Sequence, residues 1–321
     1  MSTSIDPPPA HHEAMIPDRV QVSPALEVSK RPNPFQRVGH LWQYRELVAN
    51  LTRKELKVKY KNSVLGFVWS LLNPLMYLIV FSLVFNIISG TDVPYYGIFF
   101  LSGLLAWNLF STALGAGTSS IVQNAQLVTK VWFPREALVL ASVFTALVHF
   151  FLQATILLAA LVVFQRMPDL AFTPTLVMAL AVTLVFATAL AIGLSAVNVY
   201  LRDTQHLLEV ALLAWFWASA IAYPYGLIVH KMNETRLAGK EWILALNPML
   251  TVVISFQKMI YNPSPPTAKQ LADPNYIPVL PEHPQSWYLT HLSIALAVSL
   301  ALLFGALWLF SKLEDNFAEE I

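Results

Sequence analysis

A basic segment is followed directly by a long apolar one in LTRKELKVKYKNSVLGFVWSLLNPLMYLIVFSLVFNII, residues 51–88. Its first part carries five cations, which are Arg53, Lys54, Lys57, Lys59 and Lys61, and residues 64–88 then carry no charge at all. Twenty-five residues in a helix rise about 37 Å, enough to cross a hydrocarbon core of about 30 Å. The cationic flank predicts that this first span enters the membrane from the cytoplasmic side.

The composition of the whole chain agrees with a membrane protein. Of its 321 residues, 56% are hydrophobic and 12% are charged, about half the charged share of an ordinary soluble domain. The length leaves room for one membrane domain of several spans. The sequence contains no cysteine, which excludes disulfide bonds and thiolate metal sites.

Six apolar stretches are long enough to be read as spans, and the sequence predicts an all-α polytopic membrane protein with six transmembrane helices. They cover residues 64–88, 97–121, 137–164, 173–199, 207–229 and 288–311. If the chain starts inside, fourteen of the 20 Lys and Arg residues lie in cytoplasmic segments. This bias predicts that both ends of the chain are cytoplasmic.

Three segments lie outside the spans. Residues 1–38 are rich in proline and read as a disordered cytoplasmic tail. Residues 39–62 have apolar positions at helical spacing opposite the cations, which predicts an amphipathic helix on the membrane surface; a soluble helix packed on a partner is the alternative. Between spans five and six, residues 230–287 contain short apolar runs broken at Asn247-Pro248. They are read as re-entrant helices, with two further spans as the alternative.

The chemistry missing from the sequence limits its function. No acidic or basic side chain lies near the middle of any predicted span, which counts against ion-driven carriers and membrane hydrolases. No phosphate-binding loop of the form G-x-x-x-x-G-K-[ST] occurs, so energy for transport would come from another chain. His149, with Gln153 one turn later, is either a helix–helix hydrogen-bonding residue or part of a passage.

Aromatic residues are clustered within and near the ends of the spans. Those at the ends are typical of the interfacial aromatic belt. Aromatic faces also suit the C–H faces of sugars, so the alternatives are core packing or the lining of a carbohydrate passage. The candidate passage residues, together with His149, are Trp107, Trp215, Trp217, Tyr223 and Tyr225.

Two short cytoplasmic connections are candidate docking surfaces. The first connection, residues 124–136, would present exposed aromatic anchors ringed by charge. Its candidate residues are Lys130, Trp132, Phe133, Pro134, Arg135 and Glu136. The second connection, residues 200–206, contains Arg202 and Asp203, which would contact a partner or cap helix ends.

Four motifs give the chain a family resemblance. RKELKVKYKNSVLGFVWSLLNP (53–74), NAQLVTKVWFPREAL (124–138), YLRDTQH (200–206) and NPM (247–249) occur in this order. They resemble type-2 ABC exporter permeases, in particular those that export O-antigen, teichoic acid, galactan and related cell-envelope polysaccharides. The resemblance covers residue 40 to the end of the sequence. Lys54-Glu55 stands where the family usually has an Arg-Asp pair.

The resemblance implies a permease of the bacterial inner membrane that forms a homodimer and binds two copies of a separate ATPase subunit. The chain itself would be no enzyme and hold no cofactor, because ATP and Mg²⁺ bind to the ATPase. The first connection would couple to that subunit, and spans one and five would border the channel. The substrate's pyrophosphate would meet Arg53, Lys57, Lys59 and Lys61, which otherwise serve as topology signals.

The open alternatives are a drug or small-lipid exporter of the same superfamily and, from another class, a polytopic glycosyl- or acyltransferase. The partners expected from the resemblance are lipid, a lipid-linked glycan and the ATPase, with no role for nucleic acid. Proline in the tail and Ala/Val-rich spans would fit an actinobacterial envelope with a galactan as the substrate.

Overall fold

The computed structural model describes residues 39, 42–61, 63, 65–85, 93–236, 238–261 and 277–321. Most of these residues are helical and none of them is in a strand, which confirms the all-α prediction for them. The predicted tail, residues 1–38, lies outside the described residues. The helices are α1 Arg45–Tyr60, α2 Val68–Leu83, α3 Tyr96–Gln123, α4 Ala125–Lys130, α5 Glu136–Val163, α6 Thr173–Tyr200, α7 Thr204–Ala218, α8 Tyr225–Asn233, α9 Pro248–Phe256, α10 Gln285–Leu313 and α11 Phe317–Glu320.

Short helical turns extend this framework at four places. They are 3₁₀ turns at Leu170–Phe172, Glu241–Leu246 and Glu314–Asn316, and a π-helical turn at Gln257–Tyr261. Four helical stretches in the described part of the chain are long and apolar enough to cross a membrane: Tyr96–Gln123, Glu136–Val163, Leu170–Tyr200 and Gln285–Asn316. They correspond to the second, third, fourth and sixth predicted spans. The chain is therefore a polytopic, all-helical membrane protein.

The centre of the bundle is α3. It packs against α5 and α6, and α6 packs in turn against α10. A helix that is enclosed on all sides must be apolar all round, and α3 is. Small residues allow the close approach: a Cβ added at Gly117 of α3 would lie 2.7 Å from the Ala191 Cβ of α6. Such small-residue contacts are the usual basis of helix packing in membranes, where van der Waals contact replaces the hydrophobic effect.

The amphipathic helix α1 lies along the beginning of α5. Val48 is buried there together with Ala137 and Ala141, and Thr52 is buried on the same face. Val58, near the end of the helix, has a side chain that is 64% exposed. The buried face follows the turns of Val48, Thr52 and Glu55, and Val58 lies outside that stripe.

Two predicted spans differ from the structure. In the first, predicted at 64–88, the α-helix covers Val68–Leu83. The described residues are interrupted after Phe85 and resume at Val93. Its 16 residues rise about 24 Å. The fifth, predicted as one span over 207–229, is interrupted: α7 ends at Ala218 and α8 begins at Tyr225.

The interruption has two causes that can be read from the backbone. Pro224 cannot donate a backbone hydrogen bond and disfavours the helical conformation of the residue before it. Ala220 adopts the left-handed region with φ 53°, at a cost of about 1–2 kcal/mol. The single-span prediction failed because the sequence stays apolar across the break, although the backbone there is not helical.

Candidate functional site

A row of polar side chains runs along one face of α5. Ser142, Thr145, His149 and Gln153 follow one another at intervals of three or four residues, so they share that face. Each is hydrogen-bonded to a side chain of another helix: Ser142 and Thr145 to Glu55, His149 to Tyr60, and Gln153 to Asn108. We call these four residues the polar row.

Glu55 of α1 is held at the N-terminal end of the polar row. Its Oε1 accepts a hydrogen bond from Ser142 Oγ at 3.1 Å, and its Oε2 accepts one from Thr145 Oγ1 at 2.8 Å. Hydrogen bonds to a carboxylate are stronger than those between neutral groups. The charged side chain of α1 therefore ties the amphipathic helix to the first turns of α5.

His149 continues the connection between α1 and α5. Its Nδ1 is 3.0 Å from the Thr145 carbonyl oxygen, which can only accept, so Nδ1 carries the proton. In the neutral ring Nε2 is then an acceptor, and Tyr60 donates to it across 3.0 Å. Ser70 of α2 lies 2.7 Å from the same Tyr60 hydroxyl. These contacts correspond to the helix–helix role that the sequence offered for His149.

The four cations predicted to meet a pyrophosphate are accessible but do not share one face of α1. Arg53, Lys57, Lys59 and Lys61 all have exposed side chains. Arg53 and Lys57 lie on the side of α1 away from the polar row, whereas Lys59 lies one turn after Glu55 and Lys61 follows the last helical residue. The Arg53 guanidinium donates to Asn50 Oδ1 at 3.2 Å. Partial burial of the ammonium group lowers the pKa of Lys59, although much of its side chain is exposed.

The first connection exposes part of its predicted set. Lys130 is exposed at the end of α4, and the Trp132 side chain is 87% exposed. Phe133 was expected to be exposed as well, which is wrong: it is half-buried and packs against the cluster of Val48, Ala137 and Ala141 and against the main core. The sequence did not predict that this cluster, to which α1 contributes Val48, lies beside the connection.

The remaining residues of the first connection face inward. Pro134 and Arg135 are half-buried. Glu136, the first residue of α5, is 3% exposed and has an interaction partner. Arg135 donates a hydrogen bond to the Glu314 carbonyl oxygen, and its guanidinium carbon lies 5.5 Å from the centroid of the Phe317 ring. Arg135 is thus bound to the segment after α10.

The second connection exposes both of its predicted residues. Arg202 and Asp203 have exposed side chains. Asp203 occupies the N-cap position of α7, where, within the described residues, its side chain makes no capping hydrogen bond. Its backbone carbonyl accepts from Leu207 instead, at 3.0 Å. The carboxylate is therefore free to face a partner.

The break between α7 and α8 is satisfied by side chains from other elements. Asn247 donates to the Ala218 carbonyl at 3.0 Å, and Gln257 donates to the Ala220 carbonyl at 3.3 Å. The Tyr96 hydroxyl donates to the Ala222 carbonyl. An interrupted helix at membrane depth requires such partners, because lipid offers none to the freed carbonyl groups.

The aromatic candidates do not form one lining. Trp107 is 6% exposed and packs edge-to-face against Phe216 at 5.8 Å, which corresponds to the core-packing alternative. The half-buried Trp215 donates from its indole nitrogen to Asn247 Oδ1 at 2.8 Å. Trp217, by contrast, is 55% exposed. Trp107 lies on α3, and Trp215 and Trp217 lie on α7.

The last two aromatic candidates lie beyond the break. Tyr223 is half-buried and donates to the Trp217 carbonyl. Tyr225 is buried and borders a cavity of about 230 Å³ with Glu241, Trp242 and Trp287. His149 belongs to the polar row, apart from the tryptophans.

Several contacts of the site were missed from the sequence. Glu55 and Tyr60 were read for charge and spacing alone, Asn247 as a break between predicted re-entrant helices, and Gln257 as part of one of them. One signal was present: the three- and four-residue spacing from Ser142 to Gln153 marks a polar face on an apolar helix. Among the described residues, no group of three His, Asp or Glu side chains could hold a metal ion.

Comparison with known proteins identifies the family. The O-antigen export system permease protein RfbA of Myxococcus xanthus is 33% identical over 286 residues, which are 88% of this chain and 98% of that protein. Two O-antigen export system permease proteins of Klebsiella pneumoniae are 27% and 26% identical over 225 residues, 70% of this chain and 83% of each of theirs. The family described as ABC-2 type transporter matches residues 46–261. This match includes the polar row, both connections and the helix break, and the chain belongs to the ABC-2 type transporter family.

Proposed function

We propose that this chain is the permease subunit of an exporter that carries a polyprenyl-pyrophosphate-linked cell-envelope polysaccharide across the inner membrane, powered by a separate ATPase. The observation that carries the proposal is its continuous similarity to an O-antigen export permease over 98% of that protein's length. The resemblance of the four sequence motifs points to the same class of substrate. Both ends of the chain face the cytoplasm, in keeping with the distribution of Lys and Arg.

The passage for the glycan lies between two copies of the chain. In one chain α7 exposes an apolar stripe, formed by Leu207, Val210, Leu213 and Trp217, at near-helical spacing. Trp69 of α2 is 55% exposed. Apolar faces of this extent fit contact with lipid and with a second copy of the chain. We infer a homodimer in which α2 and the interrupted fifth span, with Trp217, border the passage, and the short outer helices cap it.

The ATPase docks on the two cytoplasmic connections. Lys130 and Trp132 of the first and Arg202 and Asp203 of the second are exposed, and a protruding tryptophan ringed by charge is the usual anchor of a protein interface. Movement of the first connection passes directly into α5, which begins at Glu136. The polar row then carries it to α1 through Glu55.

The cations in the second half of α1 and just after it receive the substrate's pyrophosphate. Arg53, Lys57, Lys59 and Lys61 are exposed along about two turns, and phosphate oxygens accept charge-assisted hydrogen bonds from such groups. The helix lies at the membrane surface, where the same cations meet anionic lipid headgroups. Since α1 is tied to α5, a shift of the coupling connection would move the pyrophosphate site.

The experiment that tests the proposal is depletion of this protein in its native host, followed by analysis of lipid-linked glycans on each side of the membrane. We expect long polyprenyl-linked polysaccharide to accumulate inside and to disappear from the cell surface. Unchanged glycans, with an altered efflux of drugs or small lipids, would overturn the proposal in favour of a different cargo.

The docking surface is tested with Trp132→Ala. Truncation of a central interface tryptophan typically costs at least about 2 kcal/mol, so we expect about a thirtyfold weaker binding of the ATPase subunit and a matching loss of export. The control is Trp242→Ala, since Trp242 is also largely exposed, at 63%, but lies beside the outer cavity. Equal effects of the two variants would contradict the docking assignment.

A further inference from the structure

Phe317 is fully buried although it lies outside the four long apolar spans. It begins the short helix α11, after the 3₁₀ turn Glu314–Asn316 that follows α10. Its ring packs edge-to-face on Phe310 at 5.4 Å. No role was predicted for this segment from the sequence, and neither of the proposed docking connections includes it.

The first connection is attached to this segment by Arg135. The guanidinium carbon of Arg135 lies 5.5 Å from the centroid of the Phe317 ring, within the range of a cation–π interaction. The same guanidinium donates a hydrogen bond to the Glu314 carbonyl oxygen. Two different contacts thus hold the end of the first connection, three residues after Trp132, against Phe317 and its neighbour.

The second connection is attached to the same segment by Tyr200. The Tyr200 hydroxyl donates to the Leu313 carbonyl oxygen at 2.7 Å. The Tyr200 ring meets the Phe317 ring nearly edge-on, with the centroids 6.2 Å apart. Since Tyr200 is the last residue of α6, its position sets where Arg202 and Asp203 emerge from the membrane domain.

Phe317 is therefore in contact with one residue of each connection. Arg135 and Tyr200 are 65 positions apart in the sequence; Arg135 immediately precedes α5, and Tyr200 ends α6. The ring between them fixes the distance from Trp132 on one side to Arg202 on the other. A partner that grips both connections at once needs that distance to be constant, because binding loses affinity when the two halves of its surface must first be ordered.

We infer that Phe317 is a positioning residue for coupling to the ATPase: through Arg135 and Tyr200 it holds the two cytoplasmic connections as one docking surface. This inference rests on the proposed function, in which those connections receive the ATPase subunit. The residue touches neither substrate nor nucleotide. It acts by keeping the exposed groups of the two connections in register.

The experiment compares Phe317→Leu with Phe310→Leu in the permease co-purified with its ATPase subunit. Both rings are fully buried, and both substitutions leave a similar void, so a purely structural role predicts equal losses of thermal stability and no change in coupling. The cation–π contact predicts that Phe317→Leu alone weakens ATPase binding by about two- to thirtyfold. It also predicts fewer glycans exported per ATP hydrolysed in that variant alone. Equal binding and equal export per ATP in the two variants would overturn the inference.

A second pair of variants applies if Phe317→Leu does not fold. Arg135→Lys retains a cation able to lie over the ring and to donate to the Glu314 carbonyl, whereas Arg135→Gln has no charge. We expect ATPase binding close to the unaltered level for the lysine variant and a loss for the glutamine variant. Unaltered binding by Arg135→Gln would contradict a role for the contact with Phe317.

The effect of Trp132→Ala separates this inference from the proposed function. If Trp132→Ala weakens ATPase binding while the Phe317 and Arg135 variants leave it unchanged, the connections dock the ATPase and Phe317 does not position them. If Trp132→Ala also has no effect, the assignment of the docking surface itself fails. A loss of ATPase binding in Trp132→Ala, Phe317→Leu and Arg135→Gln supports both the docking surface and the positioning role of Phe317.

Discussion

Replacement of Glu55 by leucine should release the amphipathic helix α1 from the membrane domain. Glu55 is the one α1 side chain that accepts two hydrogen bonds from α5, within the residues that the structure describes, at 3.1 Å from Ser142 and 2.8 Å from Thr145. Leucine is of comparable size and accepts neither bond. The substitution therefore removes the polar attachment while it keeps the apolar contacts of Val48.

The size of the effect follows from what the two hydroxyl groups do afterwards. A hydrogen bond to a charged group contributes about 1.5–3 kcal/mol. The loss here is smaller, because Ser142 and Thr145 already share hydrogen bonds with the carbonyl groups of Leu138 and Ala141 and are not left unpaired. In the unaltered protein, detachment of α1 also returns the half-buried Glu55 carboxylate to water, which offsets part of the two lost hydrogen bonds. We expect about 2 kcal/mol in total, which is about a thirtyfold increase in the detached fraction of α1.

The absence of cysteine from the chain allows a direct assay. Ala141 is fully buried under α1, so a single Ala141→Cys substitution gives one thiol, protected while α1 is docked. When opening is fast and labelling slow, the labelling rate by a water-soluble thiol reagent is proportional to the detached fraction. Adding Glu55→Leu should raise that rate about thirtyfold, and Glu55→Gln, which keeps one acceptor oxygen, should raise it less.

The control for this assay is Glu46→Leu. Glu46 is on the same helix and loses the same charge, but its side chain is exposed. A general effect of charge on the binding of α1 to the membrane would raise the labelling rate of both variants alike. If Glu55→Leu and Glu46→Leu label at the same rate, the polar row does not hold α1, and the proposed path from the first connection to the pyrophosphate site is refuted.

Two further predictions concern the packing of the bundle and the helix break. Gly117→Ala should destabilise the protein by about 1–3 kcal/mol, since its new Cβ would lie 2.7 Å from Ala191; Gly115→Ala, with open space around the new Cβ, should be neutral in the same thermal-unfolding measurement. Gln257→Leu should lower stability by a similar amount, because a carbonyl at the break loses its partner. A loss no larger than that of Gln123→Leu, whose side chain is exposed, would contradict that role.

The long helices could be predicted from the sequence because their signal is local. Four of the six predicted spans correspond to long apolar helices, since a run of some 25 uncharged residues identifies a span without reference to the rest of the fold. The interruption at Ala220 was not predictable in the same way. Its backbone conformation depends on Asn247 and Gln257, which lie about thirty residues later and supply the partners for the freed carbonyl groups.

The candidate site shows the same division between local and distant information. The exposure of Trp132 follows from its place in a short polar connection, and the sequence predicted it. Arg135, three positions after Trp132, was predicted to belong to the same docking surface, but its guanidinium is bound to the segment around Phe317. A pairing between residues 182 positions apart has no periodic signal in a single sequence.

The buried polar contacts divide the molecule into parts that stay together and parts that can move. Separation of Glu55 from Ser142 and Thr145 costs about 2 kcal/mol, and separation of His149 from Tyr60 in a low-dielectric interior leaves the imidazole Nε2 without this partner at a cost of about 1–3 kcal/mol. Sliding of one apolar face over another carries no such cost. The polar row therefore makes α1 and α5 one moving unit. The polar ties of α7 that the described residues show lie near its end, where Trp215 and the Ala218 carbonyl bind Asn247, and its exposed apolar stripe begins well before them. In the proposed function, ATP-driven movement of the first connection displaces the α1–α5 unit against the beginning of α7, so that the proposed pyrophosphate site and the passage change together.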